Sequence, residues 1–198
     1  MGAAPIGVAS GVDAPLTVWT IGHSVRTAEE LVAVLRAYEI ELVADVRRFP
    51  GSRRLPQFAA SALERELGAA GIGYCSLPAL GGRRQPSKDS PNDGWRVAAF
   101  RGYADYLATE EFAAGLMELL MLATGLRAAV MCAEVLWWRC HRRLIADVLV
   151  WLGIRVMHIR DETHVEEHRL APPARLVGGH LTYSAPTRTA SLEDSHEG

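Results

Sequence analysis

Residues 16–24 read LTVWTIGHS, and this stretch shows the pattern on which the rest of the chain is built. The apolar, β-branched run Leu16–Ile21 predicts a buried strand, and it ends in the polar group Gly22-His23-Ser24. Shortly afterwards, Thr27 and Glu30 form a capping box at the start of an amphipathic helix. A strand, a polar turn and a helix in this order are typical of proteins with a parallel sheet.

The same alternation of apolar runs and amphipathic stretches returns along the chain. Further strands are predicted at residues 41–46, 72–77, 127–131 and 154–159, with helices at about 57–70, 95–107, 110–123 and 136–152. Near-continuous apolar strands indicate a sheet that is covered on both faces. We therefore predict a single α/β domain with an about five-stranded, mostly parallel sheet and helices on both faces. It is Rossmann-like but not dinucleotide-binding, because the glycine fingerprint is absent.

Length and composition fit a folded domain with two tails. The chain has 198 residues, of which 49% are hydrophobic and 22% are charged. Residues 1–14 are predicted to be a disordered tail, residues 15–169 the α/β domain and residues 170–198 a flexible C-terminal tail. No apolar run approaches the ~20 residues of a membrane helix. Three cysteines cannot all pair with one another, so a cytoplasmic protein without a membrane partner is expected.

Charge is distributed unevenly along the chain. The net charge of −2 argues against a protein that coats nucleic acid by bulk charge. Between residues 47 and 101, however, there are nine arginines and only four acidic residues. Guanidinium groups form forked hydrogen bonds to phosphate and carboxylate oxygens. This segment therefore predicts a local arginine patch that binds anionic groups, with nucleic acid as the expected partner.

Polar clusters follow the first two predicted strands, and sites in open parallel sheets form outside the carboxyl ends of strands. His23 follows the first strand, where a helix N-terminus offers N–H groups to an anion. Asp45 closes the second strand, and an arginine-rich loop follows it. A long Gly/Pro/Arg loop at about residues 78–94 adds more cations. The candidate phosphate- or substrate-binding residues of these segments are Ser24, Arg47, Arg48, Arg53, Arg54, Arg83 and Arg84.

The most specific cluster follows the fourth strand and reads CAEVLWWRCHRR over residues 132–143. Glu134 closes the strand, and Cys140, His141 and Arg142 are predicted to lie in the first turns of the next helix. A helix N-terminus lowers the pKa of a thiol, so Cys140 is a candidate thiolate. Arg139 and Arg142 extend the anion-binding set. These thiols, histidines and carboxylates could hold a metal, but their spacing matches no standard zinc site, so no metal or other cofactor is expected.

Each cluster also has a structural interpretation. Asp45 could form a salt bridge with a neighbouring arginine, Ser24 could cap a helix, and Cys132 could be a small buried hydrophobe. The three histidines within residues 158–168 are expected to lie on a solvent-exposed face rather than to bind a metal.

Several long motifs resemble the bacterial Domain of Unknown Function 488 family. They are TIGHSVRT, ADVRRFPGSRRLPQF, GIGYCSLPALGGRR, SPNDGWRVAAFRGYADYL and MCAEVLWWRCHRRLIADVL, which together span about residues 16–160. The resemblance implies a bacterial, cytoplasmic, single-domain α/β protein. It brings no established active site, so it assigns no role to any residue.

Three functional hypotheses fit these clusters. The leading one is a hydrolase on nucleic acid, in its concrete form a base-excision DNA glycosylase of DNA repair. Asp45 or Glu134 would activate water and His23 or His141 would assist the leaving base, in an arginine-rimmed cleft that also contains Cys140. The second is an enzyme on a small phosphorylated or carboxylated metabolite that uses a cysteine thiolate or a metal. The third is a non-enzymatic anion-binding module.

Overall fold

Six strands pair into one sheet, and they are β1 (Thr17–Gly22), β2 (Leu42–Asp45), β3 (Gly73–Ser76), β4 (Ala128–Cys132), β5 (Arg155–Ile159) and β6 (Val165–Glu167). The computed structural model describes residues 16–51, 55–170 and 172–186. Its strand order is β3-β2-β4-β1-β5-β6. Pairs among the first five strands are parallel, and β6 runs antiparallel to β5. The predicted α/β fold is confirmed, with β6 as one strand more than predicted.

Helices cover both faces of the sheet. They are α1 (Ala28–Ala37), α2 (Ala60–Ala69), α3 (Ala98–Tyr106), α4 (Glu110–Gly125) and α5 (Arg142–Trp151). One core forms between the sheet and α1 and α2, and the other between the sheet and α3, α4 and α5. Val43 belongs to the first core and its neighbour Ala44 to the second, so both faces of β2 are apolar. No described helix meets the length and hydropathy of a membrane span.

Helix starts agree with the sequence signals in one case and differ in another. The capping box of Thr27 and Glu30 begins α1 as predicted. The helix predicted from residue 136 begins only at Arg142, after a 3-10 turn at Trp137–Arg139. The side chain of Arg142 donates to the carbonyls of Glu134 and Val135, so these carbonyls serve a side chain rather than a first helical turn.

Residues 172–186 differ from the predicted flexible tail. They form a hairpin of β7 (Arg175–Val177) and β8 (His180–Thr182), followed by the buried Tyr183. The Tyr183 hydroxyl donates to Asp147 on α5 at 3.0 Å. Strands of three residues leave no readable periodicity in the sequence. Trp151 also donates to the carbonyl of Gly179 at 2.8 Å, so the hairpin is attached through more than one contact.

The packing of Tyr183 generates a stability prediction. We expect Tyr183→Ala to lower the free energy of unfolding by about 3–5 kcal/mol, because it empties a buried aromatic site and removes a hydrogen bond to Asp147. Urea unfolding followed by circular dichroism measures this change. Leu176→Ala, on the exposed hairpin, is the matched control and should change stability by less than ~0.5 kcal/mol. Equal, small effects of both substitutions would mean that the hairpin does not pack on the domain.

Candidate active site

The carboxyl ends of β2, β4 and β1 lie side by side, since β4 pairs with both neighbours. Asp45 is opposite Met131, and Gly22 is opposite Cys132. A Cβ atom at Gly22 would overlap the carbonyl group of Glu134, so glycine lets the β1 end and the loop after β4 touch through their backbones. The strand ends that precede these polar clusters are therefore adjacent in the sheet.

A cleft of about 310 Å³ opens at this edge of the sheet. The loop after β4 and Phe100 of α3 both contribute to its lining. Among the candidate residues, those that line it are Arg47, Arg48, Arg83, Glu134, Arg139, Cys140 and His141. Cys132, which the sequence left as a small buried hydrophobe, lines it as well. The cleft thus combines cationic side chains with two thiols.

The two thiols are neighbours. The Sγ atom of Cys140 lies 2.7 Å from the Sγ atom of Cys132 and 3.4 Å from Nδ1 of His141. Both cysteines are unbonded to any other cysteine and are more than nine-tenths buried. Cys140 has extended backbone before α5 begins, rather than lying in the first helical turn as predicted. A helix N-terminus alone therefore does not account for the chemistry of its thiol.

The surroundings shift the pKa values of the two thiols in opposite directions. A hydrogen bond from Cys132 lowers the pKa of Cys140 well below its ordinary value, and His141 and Arg142 act in the same direction. Burial raises the pKa of the Cys132 thiol well above its ordinary value. The arrangement favours a thiolate at Cys140 that accepts a hydrogen bond from a neutral Cys132.

Arg142 is placed inside the protein rather than on the cleft wall. Its side chain is only 1% exposed, and Nη1 donates to the Thr20 hydroxyl at 3.2 Å. Nη2 donates to the carbonyl oxygens of Glu134 and Val135. The guanidinium therefore holds the loop after β4 and sets a positive charge behind the thiol pair, instead of contacting a ligand directly.

A chain of buried hydrogen bonds continues from Thr20. Its Oγ1 lies 2.7 Å from Nδ1 of His158, and Nε2 of His158 lies 2.9 Å from Nδ1 of His168. Nε2 of His168 is 2.8 Å from Asp147, which also accepts from Tyr183. Burial lowers the pKa of His158 to about 2, so this imidazole is neutral at physiological pH.

The prediction of a solvent-exposed histidine face is wrong for two of the three histidines. His158 and His168 are buried, at 1% and 4% exposure, and only His164 is exposed. The reason is the antiparallel return of the chain through β6, which brings His168 back beside His158. A three-residue strand carries no sequence pattern that reveals this pairing.

Asp45 forms the salt bridge with a neighbouring arginine that was the structural interpretation of this residue. It is fully buried and does not line the cleft. Nε of Arg47 donates to its carboxylate at 2.8 Å, Nη2 donates at 2.5 Å, and the Tyr74 hydroxyl donates at 2.8 Å. With these donors in place, the carboxylate orients Arg47 toward the cleft and is not presented to a water molecule or a substrate.

His23 lies behind Arg47, outside the cleft lining. Its ring stacks on Phe58 with 4.0 Å between ring centroids, and its Nε2 lies 3.2 Å from Nη1 of Arg47. Burial lowers the pKa of His23 to about 4, which keeps the ring neutral. Ser24 is half-buried and donates its backbone N–H to Ala133 at 2.9 Å. Both residues support the cleft rather than form its wall.

Three exposed arginines surround the mouth of the cleft: Arg48, Arg83 and Arg139. Arg48 donates to the backbone carbonyl of Arg83 at 3.1 Å, which ties the two loops of the rim together. Glu134 is also exposed and accepts a hydrogen bond from the Leu136 N–H at 3.1 Å. Of the two carboxylates predicted to be catalytic, Glu134 alone is on the cleft wall.

The other predicted arginines are elsewhere. Arg84 lies over the Tyr106 ring, 3.5 Å from its centroid, and forms a salt bridge with Glu111, so it does not line the cleft. Arg53 and Arg54 lie outside the described residues. Among the residues that the structure describes, no group of three or more His, Cys, Asp or Glu is arranged to hold a metal ion.

The model of the family described as domain of unknown function DUF488 matches residues 27–149. The chain belongs to this family. The resemblance predicted from the motifs is thereby confirmed. No curated protein and no solved structure matches the chain.

The ion pair of Asp45 and Arg47 generates a second prediction. Asp45→Asn should lower the free energy of unfolding by about 3–5 kcal/mol, because it leaves the buried charge of Arg47 without its partner. Glu134→Gln is the matched control on an exposed carboxylate and should change stability by less than ~0.5 kcal/mol. Urea unfolding measures both changes, and an Asp45→Asn variant as stable as the parent would refute the structural role of Asp45.

Proposed function

We propose that this DUF488 protein is an enzyme that uses the thiolate of Cys140 on a small phosphorylated or carboxylated substrate. The observation that carries the proposal is the Cys140 thiol in the arginine-rimmed cleft, 2.7 Å from the Cys132 thiol. A thiolate is the reactive form of cysteine, and a positive environment favours it. The proposal follows the second of the hypotheses drawn from the sequence.

Each group near the thiol has a role in this chemistry. The Sγ atom of Cys140 attacks an electrophilic centre of the substrate, while the Cys132 thiol and the Arg142 charge stabilise the attacking anion. His141, whose Nδ1 lies 3.4 Å from that sulfur, exchanges a proton with the leaving group. Gly82 lets the long loop pack closely on this ring, because a Cβ atom there would lie 2.8 Å from Nδ1 of His141.

The arginines at the cleft mouth complement the negative charge of such a substrate. Arg48, Arg83 and Arg139 are exposed at the cleft mouth, and Arg47 lines its wall. Guanidinium groups in these positions form charge-assisted hydrogen bonds with phosphate or carboxylate oxygens. A cleft of about 310 Å³ is at the small end of ligand sites, so a small molecule fits better than a bulky one.

The second candidate function is hydrolysis of an N-glycosidic bond in nucleic acid, as in a DNA-repair glycosylase. Phe49 favours it, since its ring is 65% exposed at the cleft mouth and the Arg48 guanidinium carbon lies 5.6 Å from its centroid. Exposed aromatic rings beside arginines stack on unpaired bases. In this candidate Glu134 activates water, because Asp45 is occupied by Arg47 and Tyr74.

A cytoplasmic location is part of the proposal. Reactive thiol chemistry of this kind needs both cysteines of the cleft in reduced form between turnovers, and a reducing compartment keeps them so. The expectation of a bacterial cytoplasmic protein from the family resemblance agrees with this requirement.

The thiolate assignment predicts an unusual pH profile of alkylation. Because the pKa of Cys140 is lowered, its iodoacetamide reaction rate should rise and level off at a pH well below that of an ordinary thiol. Burial and Glu118 raise the pKa of Cys75, so Cys75 should react only at more alkaline pH. Peptide mass spectrometry of pulse-labelled protein resolves the two sites in one sample.

The matched variants for this measurement are Cys140→Ser, Cys132→Ala and Cys75→Ser. Cys140→Ser should remove the low-pH reaction, Cys75→Ser should leave it unchanged, and Cys132→Ala should shift its midpoint to higher pH, because a donor to the thiolate is lost. A Cys140 that reacts with the same pH profile as Cys75 would contradict the proposed function.

The nucleic-acid candidate predicts binding that depends on salt. Single-stranded DNA or RNA should bind with a log–log salt slope that flattens by about 0.7 in Arg48→Ala, and Phe49→Ala should weaken binding by about 1–3 kcal/mol. Arg65→Ala, on the exposed surface of α2, is the control and should leave the slope unchanged. Fluorescence anisotropy across a salt series measures both effects, and an absence of binding at low salt would eliminate this candidate.

A further inference from the structure

We infer that Cys132 and Cys140 form a thiol–disulfide exchange pair, and that the substrate class is a low-molecular-weight disulfide that carries carboxylates. Cys140 attacks the disulfide and Cys132 resolves the product. This inference rests on the proposed function, because it requires Cys140 as the nucleophile, and it names the electrophile as a sulfur atom.

The geometry provides the first argument. A disulfide bond is ~2.05 Å long, so the two sulfur atoms, now 2.7 Å apart, need to approach by only about 0.7 Å. Cys140 has extended backbone between a 3-10 turn and α5. The approach therefore involves a loop residue and does not require a helix to unwind. Cys75, the remaining cysteine, is on β3 and does not line the cleft.

Access provides the second argument. Both Cys132 and Cys140 line the same cleft, so a substrate that reaches one sulfur atom is within reach of the other. Arg142 lies behind the pair, and its charge interacts with both sulfur atoms, so it stabilises whichever of the two is anionic. The same cation thus serves the attack and the resolving step.

The rim provides the third argument, which concerns the substrate. Exposed guanidinium groups at the mouth, on Arg48, Arg83 and Arg139, match the carboxylates of a disulfide such as glutathione disulfide. A neutral or cationic disulfide forms no such charge-assisted hydrogen bonds with these guanidinium groups. We therefore expect the cleft to distinguish disulfides by charge.

The chemistry balances in two exchanges. The Cys140 thiolate attacks one sulfur of the substrate, forms a mixed disulfide and expels the first thiolate, which takes up a proton from solvent. The Cys132 thiol then attacks the Cys140 sulfur and gives up its proton to solvent, and the second substrate thiolate leaves and takes up a proton. The substrate disulfide is reduced to two thiols and the protein pair is oxidised to one disulfide. An external dithiol such as dithiothreitol restores the reduced pair.

The test uses glutathione disulfide as the probe on the full chain, with Cys75→Ser as background. The protein should lose the mass of two hydrogen atoms, form a Cys132–Cys140 linkage in peptide maps and release two equivalents of glutathione. Cys132→Ala should stop at the mixed disulfide and retain one glutathionyl group on Cys140. Cys132→Ser is a second variant in case alanine does not fold, and circular dichroism checks both.

Substrate charge is tested by comparison with cystamine, a cationic disulfide. Arg139→Ala should slow the reaction with glutathione disulfide about tenfold, as expected for the loss of one charge-assisted contact, and should leave the cystamine rate unchanged or higher. Equal effects on both probes would overturn the assignment of a carboxylate-bearing substrate.

The outcomes separate this inference from the proposed function. If Cys140 alkylates at neutral pH but Cys132→Ala gives no mixed disulfide, the exchange role is wrong and the thiolate proposal stands. If Cys140 is inert to iodoacetamide as well, both fail. A wild-type protein that keeps a glutathionyl group without forming the internal disulfide would show that Cys132 does not resolve.

Discussion

The guanidinium of Arg142 is the group on which the site depends. A charge at 1% exposure has to be met by internal acceptors, and the carbonyls of Glu134 and Val135 and the Thr20 hydroxyl provide them. Meeting that requirement bends the chain after β4 away from a helix and leaves Cys140 in extended backbone. The same charge lies behind the thiol pair and favours the anion there. Arg142 thus contributes both to the path of this loop and, after the Cys132 hydrogen bond and His141, to the lowered pKa of the Cys140 thiol.

Arg142 is also one end of a directional network through the domain. If its N–H donates to Thr20, the hydroxyl donates to His158, His158 to His168 and His168 to Asp147, each bond uses one proton and each ring has one defined tautomer. Between Arg142 at one end and Asp147 at the other lie one hydroxyl group and two imidazole rings. Strands β1 and β5, the residue that follows β6 and helix α5 are therefore connected by polar contacts as well as by apolar packing.

The sequence predicted the framework because its signals are local. Apolar strands, the Thr27 capping box and the polar ends of strands are each readable within a few residues, and the geometry of parallel strands then brings those ends together. The structure departs from the prediction where a residue that is distant in sequence determines the environment of a side chain. Asp45 is occupied by Arg47 and Tyr74, His168 is buried by the short β6, and Arg142 delays α5. The sequence did not identify Cys132 as a functional residue. A cysteine at a strand end is interpreted as a small apolar residue unless the neighbouring thiol, here Cys140, is known.

The backbone contact at Gly22 has a consequence for selectivity. The end of β1 and the loop after β4 meet without a side chain between them, and two amide hydrogen bonds, from His23 to Cys132 and from Ser24 to Ala133, join them. Because this loop is hydrogen-bonded to a central strand, it is preorganised for ligand binding. Little ordering entropy of this loop is therefore lost on binding, and its fixed shape favours ligands that fit it. Discrimination by a fixed template, rather than by closure around the ligand, is what this architecture favours.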